Sequence, residues 1–159
     1  MSNRTVPGFR FALTALVTTL AGSAATDTPP PPMATAKLDL IVHAKGFNHQ
    51  GGHAIAKLFV SGQSVMGAAH ATRRASIAGS DATFTFPLLQ PGQYAVIVFH
   101  DENDNGIVDH GLFGHGVYGP TEPIGFSNGF RLTVISYPSF DKLKFVLSPN
   151  RNRIEVTVR

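Results

Sequence analysis

The chain reads as an all-β protein, an antiparallel β-sandwich of about seven strands that carries one long ordered loop. Three observations lead to this class. Short apolar or alternating segments recur from Lys37 onward, separated by Gly, Pro and Asx turns. The 3.6-residue period of a long helix is missing, and one turn around Pro138 to Leu143 is the only helical suggestion. The stretch Tyr94 to Phe99 is apolar at every position. Tyr94, Val96 and Val98 fall on one face and Ala95, Ile97 and Phe99 on the other, so this is a central strand covered on both sides.

Residues 1–25 are expected to be a signal peptide. Arg4 and Arg10 precede the apolar run Phe11 to Ala21, and Gly22, Ser23, Ala24 and Ala25 follow. This is the charged, apolar, small-residue order of a secretory signal, with cleavage expected after Ala24 or Ala25. The run is shorter than the roughly 20 residues a membrane span needs. No membrane span is therefore expected, and the mature protein is placed in the periplasm or outside the cell. Residues 26–36 form a Pro-rich linker, extended and unpacked. Residues 37–159 are the sandwich domain, which is expected to be monomeric.

Within the domain, Leu38, Leu40 and Val42 alternate with Asp39, Ile41 and His43 as a first strand. A turn over Gly46 to Gly52 leads to a second, Ala54 to Val60. Ser61 to Ala69 is loop, and Ala71 to Ile77 is an edge strand guarded by Arg73 and Arg74. Ala82 to Leu88 sets Phe84 and Phe86 on one face, and Leu89 to Gly92 turns the chain into the central strand. Beyond the long connection, Lys142 to Leu147 and Arg153 to Val158 alternate, with Pro149 to Asn152 predicted as the loop of a hairpin.

Composition removes several functions. There is no cysteine, which excludes disulfides, thiolate metal sites and lipid attachment at a cysteine. The formal charge is +3, but Arg4 and Arg10 belong to the signal. The remaining eleven Lys and Arg face ten Asp and Glu with no basic stripe, so nucleic acid is not an expected partner.

The central strand runs into H-D-E-N-D-N-G-I-V-D, His100 to Asp109. Asp101, Asn103, Asn105 and Gly106 match the first half of a calcium loop, in which oxygens at alternate positions of a curling backbone converge and Gly permits the turn. Ile107 offers its carbonyl, and Asp109 occupies the ninth position. The twelfth position is Leu112 where a bidentate Glu is required, and Glu122 folding back is the substitute. The same Asx residues also make turns without a metal, and both readings stand. His100, His110 and His115 flank the loop while His43, His49 and His53 lie elsewhere. None has recognised ligand spacing, so calcium is the expected cation rather than zinc or copper.

No catalytic residue is assigned. The chain lacks a G-x-S-x-G elbow and a phosphate-binding Gly loop. His100, Asp101 and Ser127 do not suit a triad, because neighbours on a strand diverge. Glu102, Asp104 and Glu122 have no fixed separation for glycoside hydrolysis. Phe113, Tyr118, Phe126, Phe130, Tyr137 and Phe140 crowd the long connection, but without Trp they make a poor sugar platform, and Phe126 and Phe140 are expected as buried plugs.

The L-x-P-G-x-Y-x-V pattern at Leu89 to Val96 is similar to transthyretin-like and carboxypeptidase-regulatory-type sandwiches of secreted proteins, which bears on fold alone; the sandwich is expected to be immunoglobulin-like/transthyretin-like. H-D-E-N-D-N-G-I-V-D, then E-P-I-G-F-S-N (Glu122 to Asn128), then P-S-F-D (Pro138 to Asp141), resembles the domain of unknown function 2141 family of small secreted bacterial proteins, over about residues 37–158. The resemblance implies a secreted single-domain β protein and supplies no activity. The segment Leu112 to Tyr118 is longer than the family's usual link between the first two blocks. The expected function is thus an exported, non-enzymatic sandwich with a calcium loop. The rivals are a carbohydrate- or protein-binding adhesion module without metal and, behind it, an unrecognised hydrolase.

Overall fold

The computed structural model describes residues 36–113 and 117–159; the expected signal peptide, nearly all of the expected linker and His115 lie outside the described residues, as do the side chains of residues 112–118. The described chain is all-β, with ten strands and one short α-helix. Strands β1 (Leu38–Lys45), β2 (His53–Val60), β3 (Ala71–Ala75), β4 (Asp81–Leu89) and β5 (Gly92–Asp101) fall on the segments predicted as strands. Three further strands, β6 (His110–Phe113), β7 (Val117–Pro120) and β8 (Ile124–Phe126), lie in the long connection, which was expected as loop. They are short and glycine-rich, so no alternation long enough to read marks them. Helix α1 (Phe140–Leu143), β9 (Phe145–Leu147) and β10 (Arg153–Thr157) complete the domain.

Two sheets share the core. The first has the order β10-β1-β4 and the second β3-β2-β5-β8, with β9 also on β5; β6 and β7 make a separate hairpin. In the first sheet Leu40, Val42 and Ala44 stand opposite Phe86, Phe84 and Ala82, so one face is continuously apolar. In the second, Ala56, Leu58 and Val60 stand opposite Val98, Val96 and Tyr94. These two rows meet in one buried cluster with Leu147 and Val156. That is a sandwich built by period-two alternation. Tyr94 also donates its hydroxyl to the Gln90 carbonyl at 2.8 Å, tying the turn to the strand that leaves it. Burial pushes its phenol pKa up.

The predicted hairpin between residues 142–147 and 153–158 does not form. Residues Phe140–Leu143 are helical, and only Phe145–Leu147 is extended. Strand β9 pairs antiparallel with β5, whereas β10 pairs parallel with β1 in the other sheet. The turn bridged from Ser148 to Arg151 therefore carries the chain across the sandwich. The reason is that Phe145 and Leu147 bury their side chains where β5 has a free edge, at Gly92 to Tyr94. The parallel pair is the exception in an otherwise antiparallel protein.

Strand β5 is central, as predicted. Strand β2 pairs along one edge from Tyr94 to Asp101. The other edge is divided between β9 at Gly92 to Tyr94 and β8 at Ile97 to Phe99. In the gap the Ser127 hydroxyl accepts the Val96 N–H at 2.9 Å and donates to the Leu143 carbonyl at 2.7 Å. The outer face of β5 is also buried: Ala95 and Ile97 pack with Phe59, Val65, Phe126 and Leu143, with Phe130 and Phe140 partly buried beside them. Phe126 is a buried plug as expected, while Phe140 is only half-buried. The long connection thus covers the face of the second sheet rather than one end of the sandwich. Edge strand β3 keeps Arg73 and Arg74 exposed. No described helix is long and apolar enough to cross a membrane.

Phe99 is fully buried on β5, with the Lys57 ammonium 5.1 Å from its ring centre. Phe99→Ala should cost about 3–5 kcal/mol, chiefly through the cavity it leaves. Denaturant unfolding checks this, and a loss under about 1 kcal/mol would place Phe99 outside the core.

Candidate functional site

Alternation along β5 continues past its apolar part and separates two adjacent polar residues. His100 stands opposite Ala54, in the row that faces the sandwich core, and Asp101 stands opposite His53 in the next register position. Both are fully buried. Each buried polar group must find partners, and the two find different ones.

Asp101 organises the acidic loop. One carboxylate oxygen accepts the Asn105 N–H and the other the Gly106 N–H, each at 3.0 Å. The Asn103 Oδ1 also accepts the Asn105 N–H at 3.1 Å, and the Asn105 Oδ1 accepts the Ile107 N–H at 2.8 Å. The two Asn amides donate to Asp109, at 2.6 Å from Asn103 and 2.8 Å from Asn105. These are the Asx turns that a Gly-containing loop permits. Asp104 and Gly106 take positive φ, 61° and 80°.

Glu122 folds back onto this loop as anticipated. It is buried, and its two oxygens accept the N–H groups of Glu102 at 2.9 Å and Asp109 at 3.1 Å. One carboxylate therefore closes both ends of the loop. The rest of the E-P-I-G-F-S-N block has equally specific places. The Pro123 carbonyl accepts the His100 N–H at 2.9 Å. A side chain at Gly125 would lie 2.5 Å from the Thr157 carbonyl, so the close approach of β8 to β10 requires glycine. Asn128 donates to the Lys142 carbonyl at 3.2 Å.

Of the predicted ligands, Asp101, Asn103, Asn105, Asp109 and Glu122 are all brought into one hydrogen-bonded network. Ile107 lies on the same loop with an exposed side chain. No Lys or Arg pairs with Asp101, Asp109 or Glu122 among the described residues. Asp104 points elsewhere. Its Oδ1 meets His53 Nδ1 and Arg74 Nη2, each at 2.7 Å. The His53 hydrogen bond foremost, against partial desolvation, and then the charges of His53 and Arg74 hold its carboxyl below the usual range.

The triad reading finds no support in the geometry. Both functions of the Ser127 hydroxyl are taken by Val96 and Leu143. Val96 and His100 are four strand positions apart, about 13 Å at the usual rise.

A second grouping was not legible in the sequence. His49, His100 and Glu102 place one potential ligand atom each within 4.8 Å of the others. The His49 and His100 rings lie 4.5 Å apart between centroids, and Phe47 packs edge-on against His100 at 5.5 Å. His49 belongs to the turn between β1 and β2, and only the pairing of β2 with β5 brings that turn to His100. The one sequence signal was Gly51-Gly52. Gly52 has φ 69°, and a side chain there would lie 2.2 Å from the Asp101 carbonyl.

Against known proteins, the profile of a family described as "Uncharacterized protein conserved in bacteria (DUF2141)" matches residues 42–155. No match was found among curated proteins or among solved structures. The matched span runs from β1 to β10 and takes in the acidic loop and the block that closes it. The chain belongs to the bacterial DUF2141 family.

Proposed function

We propose that the protein is an exported, non-enzymatic β-sandwich whose acidic loop takes up one calcium ion as a structural stabiliser. The observation that carries this reading is that three carboxylates, Asp101, Asp109 and Glu122, share the hydrogen-bonded network of one nine-residue loop and its closing residue. Two of the three are buried, and among the described residues all three accept hydrogen bonds from N–H groups. Buried like charges without a cation repel one another in a medium that screens them poorly. A hard divalent cation with oxygen ligands relieves that repulsion. Glu122 supplies the carboxylate that position 112 lacks. The Asn103 and Asn105 amides turn over to present oxygen rather than nitrogen toward the ion, and the Ile107 carbonyl completes the set.

Two of the expected loop side chains are amides, so affinity is weak, in the range of roughly 10⁻⁴–10⁻³ M. Calcium at 100 times its dissociation constant would add about 2.7 kcal/mol to stability. Thermal unfolding with millimolar calcium should show a modest rise in Tm over the chelated protein. Asp101→Asn and Asp109→Asn should each abolish the rise, and magnesium should substitute poorly because it favours a tighter octahedral site. If calcium moves neither Tm nor hydrogen exchange in residues 101–109, the Asx residues are turn formers alone.

A second reading, an adhesion module for protein or glycan, has one specific observation in its favour. Val134 and Ile135 form the tip of the turn bridged from Thr133 to Ser136, and both are exposed together with Tyr137. A glycan screen in which Tyr137→Ala removes a hit would favour it over the structural role.

Export rests on the basic, apolar and small-residue order of residues 1–25. Expressed in a Gram-negative host, the protein should be recovered from the periplasm, shortened near Ala25. Mass spectrometry finding an intact N-terminus on the exported product would refute this.

A further inference from the structure

We propose that His49, His100 and Glu102 form a site for a borderline divalent transition-metal ion, represented by zinc, separate from the oxygen-rich loop beside it. His100 supplies the decisive geometry. Its ring is fully buried, and its Nε2 lies 2.6 Å from the Gly51 carbonyl. A carbonyl can only accept, so Nε2 carries the proton. With its proton on Nε2, the neutral tautomer offers a bare lone pair at Nδ1, and that atom is buried without a hydrogen-bond partner. Leaving such a group unsatisfied costs stability. An imidazole whose far N–H is held by a backbone carbonyl is also the arrangement that fixes tautomer and orientation in metal-ligating histidines.

Glu102 Oε1 stands 3.7 Å from His100 Nδ1 and 3.2 Å from His49 Nε2. Zinc bonds of about 2.0–2.2 Å to nitrogen and oxygen, opened to tetrahedral angles, separate neighbouring ligand atoms by roughly 3.4 Å. The two observed spacings bracket that value. Two imidazoles and one carboxylate suit zinc, whereas calcium takes oxygen ligands. His49 and Glu102 side chains are half and two-fifths exposed, at 50% and 42%, so an ion has a path in and a fourth position for water.

The second histidine requires a proton shift. His49 Nδ1 accepts the Gly51 N–H at 3.2 Å, and its Nε2 donates to Glu102. Binding through Nε2 leaves the ring proton on Nδ1 and turns the Gly51 N–H toward water, both at an exposed position. The displaced hydrogen bond is long, so the exchange is easily offset by a metal bond.

The test is calorimetric titration of zinc into the full chain, repeated in excess calcium, with cobalt(II) absorption as a reporter of low coordination number. One zinc per chain should bind and resist calcium. His49→Ala and Glu102→Gln, both at exposed positions that folding does not require, should each weaken zinc by at least about 100-fold, since losing even an outer-shell partner costs roughly 10–100-fold. His100→Ala should do the same, with circular dichroism confirming the fold. Asp109→Asn, which lies in the proposed calcium loop, should keep wild-type zinc affinity, so the two cation proposals fail independently. No zinc uptake by the wild type, displacement by calcium, or wild-type affinity in both His49→Ala and Glu102→Gln would overturn the site.

Discussion

The fold depends on strand β5 finding hydrogen-bond partners along both edges while both of its faces are buried. A buried, unpaired N–H costs as much as a lost hydrogen bond. Strand β2 satisfies one edge, but the other edge has no single long partner. It is served in pieces by β9, the Ser127 hydroxyl and β8, of which β8 and Ser127 are consecutive in sequence and β9 comes later, beyond the short helix. The long connection must therefore fold into place for the central strand to be stable. That explains why Gly125 to Ser127 are buried within a stretch otherwise rich in Gly, Pro and Asx. Ser127 is a one-atom rung in the sheet, and its second bond to Leu143 fixes the short helix that covers the outer face.

The same strand decides the chemistry at its end. Period-two alternation sends His100 toward the core and the turn between β1 and β2, and sends Asp101 toward the loop that follows. Two neighbouring polar residues thus enter unrelated environments, one rich in nitrogen donors and one rich in oxygen. Glu102 and Glu122 join the two, because the Glu122 carboxylate holds the Glu102 backbone while the Glu102 side chain reaches the histidines.

Much of the fold was legible in the residues. The apolar run Tyr94 to Phe99 announced a doubly buried strand, and Arg73 and Arg74 announced an edge. The turn-forming part of the acidic loop was legible too, since a D-x-N-x-N-G spacing has a mechanical meaning wherever it occurs, whereas no spacing fixes Glu122 as the residue that closes it. What escaped has physical causes. Strands β6 to β8 are too short for alternation to stand out. The helical turn suggested around Pro138 to Leu143 does form, as Phe140 to Leu143, but the alternation of Lys142 to Leu147 hid how short this leaves the following strand. The parallel pairing of β10 with β1 depends on which edges remain free after the rest has folded. The approach of His49 to His100 is set by sheet register, which no local pattern records.

Glu122 has a consequence for how such a chain can vary. By holding the amides of Glu102 and Asp109 together, with the Thr121 N–H on the Asp109 carbonyl at 2.8 Å, it closes a ring around the acidic loop. The β6–β7 hairpin hangs outside that ring. Doubling the length of a flexible loop adds only about 0.6 kcal/mol of closure entropy. A change of length between β6 and β7 should therefore leave the acidic loop before it unaltered, so the hairpin can take insertions over evolutionary time.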